Sequence, residues 1–173
     1  MSNQQYNSAN TSINKTKLPA IYNKIDWNKI RKEWKPNHVD KPCVLDYGCG
    51  RYTDHIKKFL NDLGFDYIGY DPNWANDPNW EKVLPAVIIC SNVLNVIAED
   101  DIVKEIIKKL QSYRQPYFIT IYEGNGSGIG AVSQKNCYQR NLKAASYRFF
   151  FKCKSFAIKK SVITDEKYKK YLK

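Results

Sequence analysis

The sequence predicts an α/β fold in which a doubly wound, mainly parallel sheet carries helices on both faces. Segments with strand character alternate with segments of helical periodicity, which is the pattern of βαβ units. The early strands are continuously apolar, as expected when both faces of a parallel sheet are buried. A chain of 173 residues, 43% hydrophobic and 14% aromatic, is sufficient for a compact single domain with a real core.

Three regions are predicted along the chain. Residues 1–12 are polar and are expected to form a flexible N-terminal tail. Residues 13–41 are expected to form a helical N-terminal extension, because apolar side chains recur there at three- and four-residue steps. Breaks are expected near Pro19 and before Asp26, which gives one or two short helices. Residues 42–173 are predicted to form the main domain, which would contain the ligand site.

Four strands are predicted in the main domain, each from a short apolar run. They are "CVLDY", "FDYIGYD", the apolar part of "PAVIICSNVLNVI", and "PYFITIYEG". One helix is expected over 54–63, with Thr53 or Asp54 as its N-cap. A second is expected over 98–113, with acids at its start and lysines at its end. The turn-rich "PNWANDPNW" between the second and third strands is expected to be irregular.

The last third of the chain is less regular. The polar, glycine-rich segment 125–141 predicts a loop, or a loop with a short helix, that acts as a lid or a substrate-facing loop. A plain linker is the alternative. "YRFFF" and "SFAIKKSVIT" predict further strands, and the final "DEKYKKYLK" predicts a solvated helical turn or tail.

The charge and the cysteines limit the classes of partner. A formal net charge of +11 favours nucleic acid, although a chain this rich in Lys, Asn, Ile and Tyr is also what AT-rich coding produces. Five cysteines and two histidines show no CxxC pair and no metal-ligand spacing, which predicts a reduced protein without metal or disulfides. The polar start and the short apolar runs predict a cytoplasmic protein with no membrane partner. The oligomeric state is left open.

The chemically informative residues follow the predicted strands. Asp46, Asp71, Ser91, Asn92 and Glu123 each come at or just after the carboxyl end of a strand. Ligands of open α/β sheets bind beyond those ends, where the strand order reverses. We therefore expect these residues to share one site.

The stretch "VLDYGCGRYTDHI" places a turn with Gly48 and Gly50 after the first strand. It is no P-loop, and Thr53 stands where a dinucleotide-binding turn has its third glycine. The preceding Asp46 is badly placed for a pyrophosphate but suits a positively charged ligand, such as the ammonium and sulfonium of S-adenosylmethionine. Asp71, at the next strand end, is in register to accept hydrogen bonds from two ribose hydroxyls.

These motifs resemble those of class I S-adenosylmethionine-dependent methyltransferases. "VLDYGCG" is similar to the first motif of that family and "YIGYDP" to its second, and the resemblance covers about 42–124. It implies a Rossmann-like class I methyltransferase fold and S-adenosylmethionine as cofactor. "SNVLNVIAEDD" and "TSINKTKLPA" are similar, more narrowly, to segments of small methyltransferase-like proteins found in phages and beside DNA-modification systems, including those associated with DNA phosphorothioation.

The resemblance assigns residues to both ends of the cofactor. Asp46, Gly48 and Gly50 would line its methionine end, where Arg51 would meet the carboxylate or else lie on a solvent-facing helix start. The residues expected to contribute backbone there are Tyr47 and Cys49. Asp71 would bind the ribose. The residues expected against the adenine are Pro72, Asn73 or Trp74, and those expected beside the methyl group are Ser91 and Asn92.

The sequence also departs from the family. DNA amino-methyltransferases carry an Asp/Asn-Pro-Pro-aromatic tetrapeptide after the fourth strand, whereas this chain has "CSNVLN". The catalytic candidates are therefore Asn92, Tyr122 and Glu123, while Asn95 is expected to be structural. Cys43 is expected in the core, at the wrong end of the sheet for a nucleophile.

The sequence as a whole predicts a methyltransferase whose acceptor is nucleic acid, DNA or RNA. Residues of the glycine-rich segment that mix cations with an aromatic ring suit contacts to phosphates and bases; they are Lys135, Tyr138, Gln139 and Arg140. Two alternatives stay open. One is a non-catalytic S-adenosylmethionine-binding or nucleic-acid-binding protein on the same fold, and the other is an enzyme that cleaves S-adenosylmethionine itself.

Overall fold

The computed structural model describes residues 6, 9, 15–35, 41–76, 78–125, 127–143, 150, 151 and 160–173. The described strands are β1 (Cys43–Tyr47), β2 (Asp66–Tyr70), β3 (Val87–Ser91), β4 (Tyr117–Tyr122), β5 (Gly130–Val132), β6 (Tyr138–Arg140), β7 (Phe150–Phe151) and β8 (Lys160–Ile163). The α-helices are α1 (Trp27–Glu33), α2 (Asp54–Asp62) and α3 (Asp100–Ser112). Short 3-10 helices cover Ala20–Asn23, Pro78–Lys82, Leu94–Val96 and Glu166–Tyr171.

A mixed, mostly parallel sheet has the strand order β2-β1-β3-β4-β8-β7. The first four strands in this order are parallel neighbours, whereas β8 runs antiparallel to β4 and β7 antiparallel to β8. This confirms the predicted α/β class and the mainly parallel sheet. The chain passes from β1 to β2 on one side and returns to β3 on the other side of β1. The order of strands therefore reverses beside β1, at the edge formed by the carboxyl ends.

Helical segments cover both faces of the sheet. Successive residues of β1 point to opposite faces. On the face of Asp46, the ring of Tyr22 packs edge-on against Phe59 of α2. On the face of Tyr47, Trp80 packs against the strand and a lysine of α3 lies over its ring. No helix in the described part of the chain combines the length and the apolar character of a membrane span.

The bridge between β2 and β3 is more regular than predicted. Its first half is a turn closed by backbone hydrogen bonds between Asp71 and Ala75. Its second half is the 3-10 helix Pro78–Lys82, where an irregular segment was expected. The helix forms because Trp80 is buried against Tyr70, with the two ring centroids 4.2 Å apart.

The helices of the N-terminal extension have both predicted breaks. The 3-10 helix Ala20–Asn23 follows Pro19, and Asp26 caps α1 by accepting a hydrogen bond from the backbone N–H of Lys29 at 3.1 Å. The buried side chains of this extension belong to the same core as the sheet; they are Ile21, Tyr22, Ile25, Trp27 and Ile30. The extension is thus part of the core and packs where β1 and β2 lie side by side.

The glycine-rich segment 125–141 contains a β-hairpin, so the prediction of a loop or a loop with a short helix was wrong. β5 and β6 pair antiparallel, and the hydroxyl of Ser133 accepts a hydrogen bond from the N–H of Cys137 in the turn between them. Gly130 has no room for a side chain, because an added Cβ would lie 2.2 Å from the ring of Tyr138. Strands of three residues are too short for alternation to be visible in the sequence.

The C-terminal segment is helical, as predicted, but the prediction that it is solvated was wrong. Tyr168 and Tyr171 are buried, because a spacing of three residues places both on one side of a 3-10 helix. The hydroxyl of Tyr171 donates to Glu33 of α1 at 2.7 Å, and its carbonyl accepts from the backbone of Asp26 at 2.8 Å. The end of the chain therefore holds the N-terminal extension in place.

Several predictions fall wholly or partly outside the described residues. These are most of the tail 1–12, the connection 36–40, the first halves of "YRFFF" and "SFAIKKSVIT", and the side chains of His38 and Cys153. The described ends of those two segments are the strands β7 and β8, as predicted.

Replacing Tyr171 tests this packing. Tyr171→Ala removes a buried ring and its hydrogen bond to α1, so we expect the free energy of unfolding to fall by about 2–4 kcal/mol. Urea unfolding followed by circular dichroism measures the change. Lys173→Ala, at an exposed position two residues on, is the matched control and is expected to have no effect. Equal unfolding midpoints for the two variants would contradict the packing.

Candidate functional site

A cavity of about 1550 Å³ opens where the carboxyl ends of β1, β2 and β3 meet. Sites for a single small ligand usually measure about 300–1,000 Å³, so this cavity has room for a nucleoside and part of a second molecule. Most of the residues predicted for the site line it; they are Asp46, Tyr47, Gly48, Cys49, Gly50, Asp71, Pro72, Asn73, Trp74, Ser91, Asn92 and Tyr122. Arg51 and Glu123 are not among the lining residues.

Three consecutive N–H groups of the glycine turn are engaged by the end of β2. Gly48 and Cys49 donate to the carbonyl of Tyr70, at 2.6 and 3.1 Å, and Gly50 donates to the carboxylate of Asp71 at 3.1 Å. A phosphate-binding turn directs such groups at the phosphate oxygens instead. These three groups are therefore not free to hold a phosphate.

Both glycines of the turn have left-handed backbone. The φ angles of Gly48 and Gly50 are 76° and 72°, a region that other residues rarely adopt. Gly48 also lacks room for a side chain, because an added Cβ would lie 2.2 Å from a methyl carbon of Val93. The turn thus lets the segment after β3 approach β1 closely and form one wall of the cavity.

The carboxyl group of Asp46 is buried at the wall of the cavity, with 3% of the residue exposed. The hydroxyl of Tyr67 donates to it at 3.3 Å, and the hydroxyl of Tyr22 lies beside it. Burial raises the pKa of this carboxyl from 3.8 to about 7, the two tyrosine hydroxyls oppose the rise, and the charge of Asp71 adds to it. In the ligand-free protein Asp46 is therefore about half protonated at neutral pH.

Gly69 makes room for the groups around Asp46. It faces Asp46 across the β1–β2 ladder, and its φ angle is not in the left-handed region. An added Cβ would lie 2.8 Å from the sulfur of Cys49 and 2.8 Å from the hydroxyl of Tyr67. A glycine is required here because these two groups occupy the space where a side chain would be.

The thiols of Cys49, Cys90 and Cys43 are not activated as nucleophiles. Burial, assisted by the charges of Asp46 and Asp71, raises the pKa of the Cys49 thiol to about 12. Burial also raises the pKa of Cys90 strongly, and that of Cys43, at the opposite end of β1, to about 11. Protonated thiols are poor nucleophiles at neutral pH, so the position of Cys43 in the core agrees with its predicted role.

Asp71 joins the two turns at the cavity edge. Its carboxylate accepts the N–H of Gly50 at 3.1 Å and the N–H of Asn73 at 2.9 Å. A carboxylate has about four acceptor positions, so two remain for hydroxyl groups of a ligand. Asp71 is partly buried and lines the cavity, which is the placement that a ribose partner requires.

Arg51 lies at the rim and not at the cavity wall. The centre of its guanidinium is 5.0 Å from the centroid of the Trp74 ring and 5.5 Å from that of Tyr52, and both are cation–π distances. Trp74 itself is 41% exposed. Of the two expectations for Arg51, this placement fits the solvent-facing one.

Ser91 and Asn92 close the site after β3. The Ser91 hydroxyl shares a hydrogen bond of 3.0 Å with the hydroxyl of Thr120 on β4. The amide of Asn92 donates to the Ser91 hydroxyl at 3.3 Å, and the φ angle of Asn92 is 61°. Asn tolerates this left-handed conformation better than most residues, and here it exposes the Asn92 side chain at the cavity.

Asn95 fixes the end of β4. Its buried amide accepts the N–H of Tyr122 at 2.8 Å and donates to the carbonyls of Tyr122 and Arg140, each at 2.7 Å. This confirms the structural role predicted for Asn95, which ties β4 to the base of the hairpin. Tyr122 lines the cavity, whereas the carboxylate of Glu123 accepts a hydrogen bond from Ser161 of β8.

The hairpin residues predicted for nucleic-acid contacts divide into two groups. Lys135, Tyr138 and Gln139 line the cavity. Arg140 is buried, and its guanidinium donates to Asp100 at the start of α3 at 2.7 Å. The prediction that Arg140 contacts phosphate is therefore wrong in this structure, because the side chain anchors the hairpin to α3.

Four polar residues at or behind the cavity wall stand out among those that the sequence analysis did not assign to the site. Tyr22 and Tyr67 lie behind Asp46, and His55 and Lys160 line the cavity. His55 is in the first turn of α2, and its buried Nε2 has no hydrogen-bond partner among the described residues. Of these residues, only Tyr67 could have been found from the sequence, because it lies on the same face of β2 as Gly69. The other three are brought to the site by tertiary packing.

Comparison of the chain with protein-family models, with curated proteins and with solved structures gives no match. Within the described ranges, no three His, Cys, Asp or Glu side chains come together in a way that could hold a metal ion. The chemistry of the site therefore has to be inferred from its own groups.

Adding a methyl group at Gly69 tests the packing behind Asp46. Gly69→Ala is expected to lower the free energy of unfolding by about 1–3 kcal/mol, because the new Cβ displaces Cys49 or Tyr67. The matched comparison is the same change in a Cys49→Ala/Tyr67→Phe background, where the cost is expected to fall. Urea unfolding at pH 7 gives both values, and equal costs would contradict the contact.

Removing the charge of Asp46 tests its burial. The folded-state pKa lies above 3.8, so the unfolded chain loses this proton first as pH rises, and stability falls between about pH 4 and pH 7. Asp46→Asn cannot ionise. Above pH 7 we therefore expect this variant to be more stable than the parent, by at most about 4 kcal/mol.

Urea unfolding from pH 4 to pH 8 measures this difference. Asp66→Asn is the control, since Asp66 is exposed at the opposite end of β2. If Asp46→Asn and the parent show parallel stability curves over this range, the carboxyl is not held in its neutral form.

Proposed function

We propose that this protein binds S-adenosylmethionine in the cavity and transfers its methyl group, as a class I methyltransferase with a Rossmann-like, doubly wound sheet. The observation that carries the proposal is the pair of carboxyl groups, Asp46 and Asp71, at neighbouring strand ends. They flank a glycine turn whose three N–H groups are directed at β2. Such a site favours a ligand with cationic and hydroxyl groups over a pyrophosphate.

The groups of the cofactor find chemically matched partners in the cavity. Asp46 would accept the ammonium of the methionine arm, and Asp71 would accept the ribose hydroxyls with its remaining lone pairs. Charge-assisted hydrogen bonds of this kind contribute about 1.5–3 kcal/mol each. The adenine would lie between Pro72 and the apolar side chains that α3 presents to the cavity, Ile102 and Ile106.

His55 is the better candidate for the carboxylate of the methionine arm. Arg51, the residue first expected there, is held between Trp74 and Tyr52 at the rim. The buried Nε2 of His55 lacks a partner among the described residues, and a ligand carboxylate would supply one. The start of α2 adds the favourable end of a helix dipole for the same group.

The sheet order supports the Rossmann-like interpretation. The strand order reverses between β1 and β3, and the cavity lies beyond the carboxyl ends at that point, as in doubly wound folds. The segment between β2 and β3 contains only a turn and a 3-10 helix in its described part, which accounts for the small size of the domain.

Catalysis would depend mainly on position. When bound, S-adenosylmethionine supplies an electrophilic methyl group, so the protein has to hold an acceptor in line behind it. Asn92 and Tyr122 line the cavity on the side of Ser91 and are the residues proposed to orient the acceptor. Glu123 would first have to release Ser161.

Nucleic acid, either DNA or RNA, is the proposed acceptor. The cavity is larger than a nucleoside requires, and its outer wall carries Lys135, Lys160 and the ring of Tyr138. Lysines suit phosphates, and an aromatic ring suits an unstacked base, although the half-buried ring of Tyr138 stacks on Tyr6 in the structure. The net charge of +11 gives the long-range attraction that such a substrate needs.

A non-catalytic S-adenosylmethionine-binding or nucleic-acid-binding protein is the second candidate. It is favoured by "CSNVLN", which lacks the catalytic tetrapeptide of DNA amino-methyltransferases. Incubation with cofactor labelled in the methyl group, together with DNA, RNA and cell extract, separates the candidates. Label in an acceptor supports the transferase, tight binding without transfer supports the second candidate, and loss of cofactor without an acceptor indicates cleavage of S-adenosylmethionine itself.

Binding of the cofactor product is the first test. Titration calorimetry is expected to show binding of S-adenosylhomocysteine and none of NAD. Asp71→Ala is expected to weaken this binding by about 10- to 100-fold, because two charge-assisted hydrogen bonds are lost. Asp66→Ala, at the other end of the same strand, is the control. Circular dichroism verifies folding, since Asp71 also holds Gly50. Undiminished affinity in folded Asp71→Ala would exclude the proposed site.

A further inference from the structure

We infer that Tyr22 and Tyr67 are positioning residues that hold the Asp46 carboxyl at the cavity wall, so that a cationic ligand enters by displacing a proton from it. The inference rests on the proposed function, because it takes the ammonium of the methionine arm as the cation. It adds that the N-terminal extension, through Tyr22, is part of the cofactor site, and that binding releases a proton.

Tyr22 is locked in place by packing. It is fully buried, and its ring stacks on Trp27 with centroids 5.9 Å apart and meets the edge of Phe59. Its carbonyl accepts a hydrogen bond from the indole of Trp27 at 2.7 Å. The hydroxyl lies beside Asp46 and has no hydrogen bond of normal geometry in the described structure. A buried hydroxyl held so close has the ionised carboxylate as its natural acceptor.

Tyr67 reaches the same carboxyl from the neighbouring strand. Its hydroxyl donates to Oδ2 of Asp46 at 3.3 Å, and the bare backbone of Gly69 leaves space for it. Both hydroxyls favour the charged form of Asp46, whereas burial opposes it more strongly. The two hydroxyls therefore stabilise the charged form of Asp46, but they do not fully offset its loss of hydration.

Among the described residues, the groups that act on the charge of Asp46 do not include a cation. They are Tyr22 from the N-terminal extension, Tyr67 from β2, Cys49 from the glycine turn, Cys90 from β3 and Asp71 from the turn after β2. Each of these is neutral or negative at pH 7. Compensation of an ionised Asp46 thus has to come from the cavity, which is the side that a ligand occupies.

The expected linkage follows from the titration of Asp46 near pH 7. Binding of a cation beside it moves its proton to the buffer, with no other bond made or broken. Near pH 7 about half a proton is released for each ligand bound, near pH 6 almost one, and near pH 8, where the ligand still carries its ammonium, almost none. Below pH 7 the affinity is expected to fall towards a limit of about tenfold for each pH unit.

Calorimetry of the parent protein tests this directly. S-Adenosylhomocysteine, which carries the ammonium, is titrated at pH 6.5 in two buffers with different enthalpies of ionisation, phosphate and bis-Tris. The inference is supported if the binding enthalpies in the two buffers differ by more than half of the difference between the ionisation enthalpies of the buffers. Equal enthalpies at pH 6.5, with binding intact, would overturn it.

Two variants, each lacking one tyrosine hydroxyl, show which residues set the pH dependence of binding. Tyr22→Phe and Tyr67→Phe each remove a group that favours the charged carboxyl, so the pH midpoint of binding is expected to move upward in both. The affinity should then fall at least threefold at pH 6.5 and approach that of the parent above pH 8, where the carboxyl ionises in both proteins and the ligand keeps its ammonium. Tyr117→Phe is the control, because Tyr117 begins β4, at the end opposite the cavity, and its hydroxyl donates to Asp165. Midpoints unchanged in Tyr22→Phe and Tyr67→Phe would show that the hydroxyls only fill space.

A measurement without ligand separates failure of this inference from failure of the proposed function. The infrared carbonyl band of a protonated carboxyl is expected to disappear near pH 7 in the parent and to be missing in Asp46→Asn. If the band titrates but S-adenosylhomocysteine does not bind, the proposed cofactor is wrong. If the ligand binds but the band titrates near pH 4, the inference is wrong and the proposed function stands.

Discussion

The carboxyl group of Asp46 is buried at the end of β1, in the middle of the parallel part of the sheet. An ionisable group at such a place destabilises the fold unless it stays neutral or finds partners. Here the partners come from two distant parts of the chain. Tyr22 is held by the N-terminal extension, and Tyr67 projects from β2, where Gly69 leaves the space that its hydroxyl needs. A charged Asp46 would attract a cation in the cavity, but without a partner it lowers the free energy of unfolding.

The second carboxylate has a different task. Asp71 is partly exposed, and it binds the N–H groups of Gly50 and Asn73, so it holds the glycine turn against the turn after β2. Its charge also disfavours ionisation of Asp46. The two acids thus have different roles. Asp71 shapes the edge of the cavity through its hydrogen bonds, and Asp46 places a buried carboxyl at the cavity wall. The presence of two carboxyl groups at one edge of the cavity is the basis of the proposed preference for a ligand with positive charge.

The parts of the fold that follow from local pattern were predictable. The buried strands, the breaks at Pro19 and before Asp26, and the structural role of Asn95 have signals in neighbouring residues. The parts that depend on partners far away in the chain were not. In the hairpin, the ring of Tyr138 packs against the bare backbone of Gly130. At the C-terminus, the hydroxyl of Tyr171 donates a hydrogen bond to Glu33. The polar composition of both segments predicts exposure to solvent. The prediction failed because their polar groups bind partners that lie far away in the sequence.

The sequence by itself determined the α/β class, the order of the main strands and helices, and the set of acids and glycines at the strand ends, since these depend on short-range periodicity and turn chemistry. Only the tertiary structure decided how those groups behave. It directs the N–H groups of the turn at β2, draws Arg51 to the rim and Arg140 into the interior, and brings His55 and Tyr22 to the site. The physical reason is that burial and pairing of a polar group depend on neighbours in space, and spacing along the chain does not specify them.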